Sequence, residues 1–404
     1  MNKLIANYAT SEECKVLCSK EHVTKLPTIR SMFERDRDRI LHSKAFKRLA
    51  HKSQVFIYDG GDHHRNRLTH TLEVESIALS ISSTLRLNSF LCSSIALSHD
   101  LGATPFGKNG EIALYELTKR NSLNGFKHNH QGIRVVENLE QQYPNYQGLN
   151  LTLAVKEGIL KHKDVDENTL SLHSEHLTSF VKNTNLNISS TLEGQAVRIA
   201  DNIAQIYHYI EDGFRYNLVP ITVVLESSLW KTAAIFIKKR FGLEFDNFIS
   251  KATDDIKKLT ICRFLIKFII TSLIENTKKI IADIGENNIH PGKITNLIVN
   301  FNDSTHELID DFYKQIIDPF ILQHNSMVIM SIKSMKTIYC IFESFQKCPA
   351  QLPIATFRRY QEAKRNEGNI ELRIIVDHIS GMTDRYAVKT YKILHDIEYN
   401  PFYF

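Results

Sequence analysis

Apolar residues recur at helical spacing along most of the chain. In the segment 66–86, Val74, Ile77, Ile81 and Leu85 lie one turn apart, which is the pattern of a helix that buries one face. Similar patterns, separated by loops that contain glycine or proline, predict more helices before residue 215. These predicted helices span 33–50, 90–101, 108–120, 130–142, 151–161 and 192–212. The pattern therefore predicts a mainly helical protein.

Composition favours an all-α fold and limits the function classes. The chain of 404 residues has only 16 glycines and 9 prolines, fewer than turn-dense β-sandwiches, collagen-like chains or disordered Pro/Gly-rich chains need. The net charge of +5 is too small to indicate nucleic acid as the main partner. Six scattered cysteines without a CxxC pair are typical of reduced thiols in the cytosol.

The sequence gives no indication of secretion or of a membrane span. The segment 1–15 lacks the long apolar run of a secretory signal. The most apolar stretch, 261–274, contains Arg263 and Lys267 and is shorter than the roughly 20 apolar residues of a transmembrane helix. We therefore expect a soluble, cytoplasmic protein without a membrane partner.

Histidines are concentrated in the first half of the chain, where 12 of the 18 lie between His42 and His208. His70 lies on a predicted helix, and His99 and Asp100 end an apolar helix just before a glycine-containing turn. Adjacent side chains diverge by about 100° on a helix, so this pair can face one ion only near a helix end. An aspartate is also an unusual choice there, because the helix dipole favours cations at that end.

A third cluster follows on the predicted helix 192–212. Asp201, Gln205, His208 and Asp212 form one stripe of this helix. A solvated face is the simpler explanation of such a stripe, but flanking isoleucines and alanines provide enough apolar surface to bury the helix. Buried polar residues need partners, and a cation or a substrate is one such partner.

Together these clusters provide two imidazoles and two carboxylates, from His70, His99, Asp100 and Asp201. A mixed nitrogen and oxygen set suits Mn²⁺, Fe²⁺, Zn²⁺ or, less readily, Mg²⁺. Such an ion can bind a phosphate oxygen and activate a water at the same time. The order and spacing of the four residues are only moderately specific, so the surrounding motifs carry more weight.

Seven blocks of the sequence, including ALSHDLGATPFGKNGE, match one known family in order and spacing. The blocks lie at 33–56, 61–74, 96–111, 125–140, 148–162, 193–215 and 377–391. By these blocks the chain resembles the deoxynucleoside triphosphate (dNTP) triphosphohydrolases of the HD-domain superfamily, the dGTPase-like proteins. The resemblance runs from about residue 30 to about residue 395 and is weakest between about 216 and 335.

The resemblance implies an all-α, multi-helix HD-domain phosphohydrolase fold with an additional C-terminal helical region. We expect four parts of the chain. They are an N-terminal extension (1–29), an HD metal-binding catalytic core (30–215), a helical scaffold region (216–347) and a C-terminal helical segment that packs on the core (348–404). The resemblance also implies a homo-oligomer, commonly a hexamer, and sometimes activation by nucleotides at a second site.

The implied reaction is metal-dependent hydrolysis of a dNTP, in which metal-activated water attacks the α-phosphorus and releases deoxynucleoside and tripolyphosphate. The family's metal ligands fall on His70, His99, Asp100 and Asp201. Gln54 and Arg67 match positions of sugar and phosphate contact, and Glu111 matches an acidic residue of the catalytic group. Further substrate-binding candidates are Arg65, Lys161, His162, His208 and Asp212.

The sequence departs from the family at the catalytic motif. The usual HDLGHPPFGHAGE reads HDLGATPFGKNGE here, so Ala103 and Lys108 replace two histidines. Alanine has no polar group to contact a phosphate, and lysine is a cation at neutral pH and a poor general base. Asn202 and Gln205 likewise replace a usual glutamate and a usual tyrosine. These changes suggest an intact metal site with a shifted substrate or mechanism.

Other histidines are candidates to replace the two that are lost. His63 and His64 lie in a loop, and His128 and His130 lie in an unusual HNH sequence. Ordinary surface and loop histidines are an equally simple explanation of all four. The candidate catalytic group is Glu111, Lys108, His128 and His130.

Two alternative functions remain open. One is hydrolysis of another nucleotide by the same metal chemistry. The other is a catalytically weakened protein that binds nucleotides or single-stranded DNA, which the changes at Ala103 and Lys108 favour. The basic residues within 358–365 also fit that alternative, although nearby glutamates make a solvated helix face the simpler explanation. Retention of all four metal ligands favours an active enzyme.

Overall fold

The protein consists of α-helices connected by loops. A computed structural model describes residues 5–20, 29–56, 65–245, 252–365 and 370–399. Within these residues there is no β-strand, and two isolated bridges pair short extended segments. The predicted all-α fold is therefore confirmed.

Helices α1 to α9, with the turns between them, contain the predicted metal ligands and the predicted substrate contacts. They are α1 (Met32–Leu41), α2 (Lys44–Arg48), α3 (Arg67–Leu85), α4 (Ser89–Ser98), α5 (Lys108–Arg120), α6 (His128–Arg134), α7 (Leu153–Lys161), α8 (Glu175–Lys182) and α9 (Leu192–Arg215). The later helices are α10 (Ile221–Glu226), α11 (Ser228–Phe241), α12 (Asp254–Ile284), α13 (Asp303–Phe312), α14 (Asn325–Lys347), α15 (Ile354–Arg365), α16 (Ile370–Ser380) and α17 (Asp384–His395). Helices α6 and α13 continue as π-helical segments, over Val135–Leu139 and Tyr313–Leu322.

Local caps explain where the helices depart from the predicted ranges. The predicted helix 33–50 is divided where Ser43 caps α2, because its hydroxyl accepts a hydrogen bond from the amide of Phe46 at 3.1 Å. Helix α4 is shorter than predicted, and His99 and Asp100 lie at its end and in the turn after it. Two candidate ligands thus lie at a helix end, as the sequence predicts.

Helices α3, α4, α7 and α9 form the centre of the first hydrophobic cluster. Helix α3 packs on both α4 and α9, and α7 packs on α4 and α9. Val74, Ile95 and Ala200 are fully buried in this cluster. The N-terminal segment 5–20 packs onto it as well, through Leu17 among others. The cluster fixes the elements that carry the four predicted metal ligands.

A second hydrophobic cluster joins α5 to the C-terminal helices. It contains Leu114 and Leu117 of α5, Phe342 and Phe345 of α14, and Ile375 of α16. Helix α14, which lies in the expected scaffold region, therefore shares its core with the helices that follow it. The C-terminal helices pack on the expected catalytic core through α5.

Buried polar groups connect the C-terminal helices with loops next to α3 and α5. The Asp384 carboxylate accepts hydrogen bonds from the backbone amides of Ser53 and Phe106, both at 2.9 Å. The ammonium group of Lys52 donates to the carbonyl oxygen of Ser380 at 2.8 Å and also to the loop before α5. These bonds fix both loops relative to α16 and α17.

None of the helices in the described ranges is both long and apolar enough to cross a membrane. Helix α12 spans 31 residues and carries Arg263 and Lys267 within its most apolar stretch.

Candidate active site

Four side chains from α3, α9 and the end of α4 meet in the interior. The Nε2 atom of His70 lies 3.2 Å from Oδ1 of Asp201 and 3.7 Å from Oδ2 of Asp100. The Nε2 atom of His99 lies 3.5 Å from the same Asp100 oxygen and 3.9 Å from the same Asp201 oxygen. All four residues are at most 5% exposed. The structure thus brings the four predicted ligands together.

The spacing and chemistry of these atoms fit one divalent cation. Ligand atoms around a tetrahedral ion with bonds of about 2.1 Å lie about 3.4 Å apart, close to the separations found here. The ligand atoms of His70, His99 and Asp201 all lie within 4.8 Å of one another. The Nε2 atom of His99 is buried without a hydrogen-bond partner, and a metal ion would provide one. Two imidazoles and two carboxylates are a donor set for first-row transition metals.

Outer hydrogen bonds orient the two imidazoles toward this point. The Nδ1 atom of His99 donates to the carbonyl oxygen of Ala96 at 2.6 Å, which leaves the Nε2 lone pair for a metal ion. The Nδ1 atom of His70 lies 3.2 Å from Nδ1 of His208, whose Nε2 contacts the Glu73 carboxylate. The predicted substrate-binding residue His208 therefore lies behind a candidate ligand. Burial lowers the pKa of His70, which favours the neutral imidazole that a metal requires.

Each candidate ligand carboxylate is paired with a cation. Arg67 donates to Oδ2 of Asp100 at 2.7 Å, and Nζ of Lys163 lies 2.7 Å from Oδ2 of Asp201. Burial alone would raise both carboxyl pKa values, but Arg67 holds the pKa of Asp100, and Lys163 that of Asp201, well below the usual range. Lys163 is not among the predicted site residues. The signal for it in the sequence is its position directly after the matched block 148–162.

A cavity of about 370 Å³ opens beside the candidate ligands. Three of the four ligands line it, and so do the predicted residues Gln54, Arg67, Lys108, Glu111 and His128. The Oε1 atom of Gln54 and the Nε atom of Arg67 are buried without hydrogen-bond partners. Buried polar atoms are normally paired, so the cavity offers an unused acceptor and an unused donor to a bound molecule.

His128 lies between Glu111 and His162. Its Nδ1 atom is 2.9 Å from Oε1 of Glu111, and its Nε2 atom is 3.0 Å from Nε2 of His162. The Nδ1 atom of His162 donates to the carbonyl oxygen of Ile159 at 2.6 Å, so its Nε2 accepts. Burial lowers the pKa of His162 well below its usual range. Burial also opposes charge on His128, but the Glu111 carboxylate raises its pKa. These opposite pKa shifts favour the cationic form of His128 and the neutral form of His162.

Similarity to known proteins identifies the family to which this site belongs. Residues 67–206 match the HD domain, and residues 299–393 match the phosphohydrolase-associated domain. A deoxyguanosinetriphosphate triphosphohydrolase-like protein of Rickettsia felis is 35% identical over 98% of this chain and 100% of its own length. Proteins of the same name from Rickettsia bellii and Leptospira interrogans are 36% and 35% identical, over 93% of this chain and over 95% and 91% of their own lengths. The chain belongs to this family.

As a member of the dGTP triphosphohydrolase-like family, the protein is an HD-domain phosphohydrolase, and HD-domain phosphohydrolases are metal-dependent. The HD-domain match contains all four candidate ligands. The phosphohydrolase-associated match contains α14, α15, α16 and most of α17, which form the second hydrophobic cluster with α5. Of the residues that line the cavity, the HD-domain match contains three candidate ligands together with Lys108, Glu111 and His128, and the phosphohydrolase-associated match contains Leu322 and Met327.

Two predicted substrate-binding residues of this family member pair with each other outside the cavity wall. Nη1 of Arg65 lies 3.2 Å from Oδ1 of Asp212. Arg65 also contacts Glu73 and Glu211. Three carboxylates thus surround this arginine, and its charge serves to connect α3 with α9.

Lys161 and His130 are buried away from the cavity wall. Nζ of Lys161 lies 2.9 Å from Oε1 of Glu157, and both side chains are fully buried. The His130 ring stacks on His173, and its Nδ1 lies 2.6 Å from the hydroxyl of Thr169. Burial lowers the pKa of His130 to about 2. Lys161 and His130 are therefore placed to support the fold around the site and do not line the cavity.

The cavity wall differs from the usual family pattern at two positions. Ala103 contributes a methyl group, and the exposed Lys108 begins α5. Of the histidines proposed to replace the missing ones, His128 lies in the cavity wall. His63 and His64 lie outside the described residues. His128 is therefore the imidazole that the structure makes available at this cavity.

Proposed function

We propose that this protein hydrolyses deoxynucleoside triphosphates to a deoxynucleoside and tripolyphosphate. The observation that supports the proposal is the set of side chains that line the cavity beside the candidate ligands. The cavity wall combines three of the four candidate metal ligands with three cationic side chains, from Arg67, Lys108 and Lys163, and with the pair of His128 and Glu111. A triphosphate needs cations beyond the metal, and a leaving 5′ oxygen needs a proton donor.

The candidate metal ligands are His70, His99, Asp100 and Asp201. When bound, a divalent ion polarises a phosphate oxygen and lowers the pKa of a bound water. Burial keeps the imidazole of His70 neutral, and the cations beside the two aspartates keep both carboxylates ionised. His70, Asp100 and Asp201 are therefore in the forms that a divalent ion such as Mn²⁺, Mg²⁺, Fe²⁺ or Zn²⁺ requires.

Arg67 and Gln54 are suited to the sugar and phosphate groups of the substrate. Nη1 of Arg67 bonds to Asp100, whereas its buried Nε is unpaired. The guanidinium can therefore bind a phosphate oxygen while it stays on the carboxylate, and arginine favours such multiple contacts. The unpaired Oε1 of Gln54 can accept a hydrogen bond from a sugar hydroxyl.

His128 is the proton donor in this proposal. Its Nε2–H has His162 as its acceptor, and a leaving 5′ oxygen would compete with His162 for that proton. Glu111 stabilises the charged imidazole from the other side. The ammonium group of the exposed Lys108 would bind a phosphate oxygen of the substrate.

In the proposed reaction, water adds to the α-phosphorus and the bond from that phosphorus to the 5′ oxygen breaks. The 5′ oxygen takes a proton from His128 and becomes the hydroxyl group of the deoxynucleoside. The oxygen of the water leaves in the tripolyphosphate, and a proton released from the water restores the charge of His128.

Hydrolysis of a nucleotide panel with Mn²⁺ in ¹⁸O-labelled water tests the reaction. We expect deoxynucleoside and tripolyphosphate in equal amounts, with the label in tripolyphosphate, as read by ³¹P NMR and mass spectrometry. Asp201→Ala should bind no metal and give no product. The surface variant Lys238→Met, which removes an exposed lysine paired with Glu244, serves as the control.

Other outcomes of the same panel distinguish the alternatives. Pyrophosphate or monophosphate as the product would replace the proposal with hydrolysis of a different phosphate bond. Turnover of ribonucleotides alone would replace the substrate class. No turnover of any nucleotide, together with tight binding of a dNTP or of single-stranded DNA, would support a catalytically weakened binding protein.

The family resemblance adds a proposal about assembly. We expect a homo-oligomer, with a hexamer as the commonest form, and activation by nucleotides in some members. Size-exclusion chromatography with light scattering, with and without dNTPs, measures both the assembly and its dependence on nucleotide. A monomer under all conditions would contradict the proposal.

A further inference from the structure

Lys163 lies between the candidate metal site and the cavity. It follows α7, and its ammonium group is 2.7 Å from Oδ2 of Asp201. The other oxygen of Asp201 faces His70 at 3.2 Å. Asp201 therefore uses one oxygen toward the metal site and the other toward Lys163. The side chain of Lys163 is 36% exposed and forms part of the cavity wall.

Arg67 pairs with the second carboxylate through Oδ2 of Asp100, which is the oxygen that also faces His70 and His99. A divalent ion would neutralise the two ligand carboxylates, so the charges of Arg67 and Lys163 would then be available to an anion. The ammonium of Lys163 has three N–H donors. Its contact with Asp201 and a long contact of 3.5 Å with Asn202 leave at least one donor for a phosphate oxygen.

Position 103, in the same cavity wall, has no polar side chain. Ala103 is found where the resembling family has a histidine near the α-phosphate, and it offers only a methyl group. We propose that Lys163 is a substrate-binding residue that contacts the triphosphate while it remains paired with Asp201. It would thus supply the cationic contact that is missing at position 103. The inference rests on the proposed function, which takes a triphosphate as the anion.

A cation at this position has opposite effects on the two ligands of the site. The charge of Lys163 repels a divalent metal ion and attracts a phosphate group. A residue that served only to hold Asp201 in place would instead favour metal binding and phosphate binding together. Removal of the charge therefore separates a substrate-binding role from a structural one.

Isothermal titration calorimetry with two probes tests the inference. The probes are Mn²⁺ alone, and inorganic tripolyphosphate added to the Mn²⁺-loaded protein. For both Lys163→Met and Lys163→Gln we expect Mn²⁺ affinity at or above that of the wild type. Tripolyphosphate affinity should fall about tenfold or more, as for the loss of a charge-assisted hydrogen bond. Lys163→Arg should restore it, and Lys238→Met should leave both affinities unchanged.

Two results would overturn the inference. One is unchanged tripolyphosphate affinity in both neutral variants, and the other is a parallel loss of Mn²⁺ affinity. Because binding needs no turnover, these results are decisive even if the wild type hydrolyses no dNTP, in which case only the proposed function fails. Where a dNTP is turned over, Lys163→Met should raise its KM more than it lowers kcat.

Discussion

The pKa values of two histidines in the cavity wall, His128 and His70, shift in opposite directions because their neighbours differ. Burial alone would lower the pKa of His128, but the Glu111 carboxylate bonded to it raises that pKa above its ordinary value. Burial also lowers the pKa of His70, and there the opposing effect of Asp201 is too small to reverse it. One imidazole can therefore donate a proton near neutral pH, whereas the other can bind a metal ion.

Glu111→Gln keeps the size of the side chain and removes its charge. Without that charge the pKa of His128 should fall, because the carboxylate that raises it is gone, so the imidazolium is lost at lower pH. We therefore expect the alkaline fall of kcat/KM to begin at lower pH, with a rate about tenfold or more below the wild type above neutral pH. The measurement is kcat/KM across the neutral and alkaline range. Glu116→Gln, at a partly exposed position on the same helix, is the control. If kcat/KM of Glu111→Gln falls at the same alkaline pH as that of the wild type, the proposed role of His128 is contradicted.

His208 acts on the metal site through the ligand that it touches. It pairs with Nδ1 of His70 and is held on its other side by Glu73. His208→Phe keeps a buried ring but removes the bonds that orient His70, so Mn²⁺ affinity should fall by about 10–100-fold. Calorimetric titration with Mn²⁺ measures this. His306→Phe, which removes a histidine bonded to Asn300, is the control, and equal Mn²⁺ affinity in both variants would contradict the argument.

At the scale of the helices, the sequence predicts the long helices in which apolar residues recur at helical spacing. It does not predict helix ends that depend on a single capping residue. Helix α3, predicted as 66–86, spans Arg67–Leu85, and α9, predicted as 192–212, extends to Arg215, because many apolar positions define each of them. The break at Ser43 and the end of α4 depend on individual hydrogen bonds in the cap and turn, which the apolar period does not contain. Helix α8 is absent from the predicted helices, although Leu177 and Val181 lie one turn apart on its buried face.

The positions of the metal ligands follow from helical geometry, whereas the partners of other charged residues depend on tertiary packing. The stripe of polar residues that includes Asp201 on α9 can be recognised in the sequence. The pair of His99 and Asp100 at the end of α4 can be recognised there as well. The contact of Lys163 with Asp201 depends on where the loop after α7 meets α9, and the pairing of Arg65 with Glu211 depends on how α3 meets α9. The pairing of Lys161 with the residue four positions earlier is different, because that spacing on one helix signals an ion pair.

Gly102 lets the turn after α4 pack directly on the backbone of α6. A Cβ at this position would lie 2.1 Å from the carbonyl oxygen of His128 and 2.2 Å from the amide nitrogen of Gly132. These distances are too short for any side chain, and backbone atoms cannot easily move aside. The close approach therefore fixes the segment with His99 and Asp100 against the helix that begins with His128.

Gly102→Ala should separate the turn from α6 and disturb the metal ligands and the proton donor together. We expect a loss of about 1–3 kcal/mol or more in the free energy of unfolding, as for overpacking of a tight contact, and lower Mn²⁺ affinity. Denaturant unfolding and calorimetry measure these two quantities. Gly381→Ala, where an added Cβ comes no closer than 3.3 Å, should be milder. A stability loss at Gly102 no larger than at Gly381 would contradict the close contact.

At the scale of the whole molecule, the cavity lies where the two hydrophobic clusters meet. The metal ligands are carried by elements of the first cluster, whereas Lys108 and Glu111 lie on α5, whose apolar side belongs to the second. Asp384 and Lys52 make hydrogen bonds across this boundary. We therefore expect the position of the candidate catalytic group, relative to the candidate metal ligands, to depend on how the C-terminal helices hold α5 and the loop before it.

Asp384→Asn tests this dependence. An asparagine has one side-chain oxygen instead of two, so it cannot keep the bonds from both the Ser53 and the Phe106 amides. We expect a loss of about 1–3 kcal/mol in the free energy of unfolding. We also expect about a tenfold fall in kcat/KM, because Gln54 and the start of α5 lose their support. Mn²⁺ affinity should stay close to that of the wild type, since the first cluster holds the four ligands.

Asp396→Asn, at an exposed position, is the control. If Mn²⁺ affinity falls as far as kcat/KM, the two clusters do not act separately, and if kcat/KM is unchanged, the C-terminal helices do not position the catalytic group.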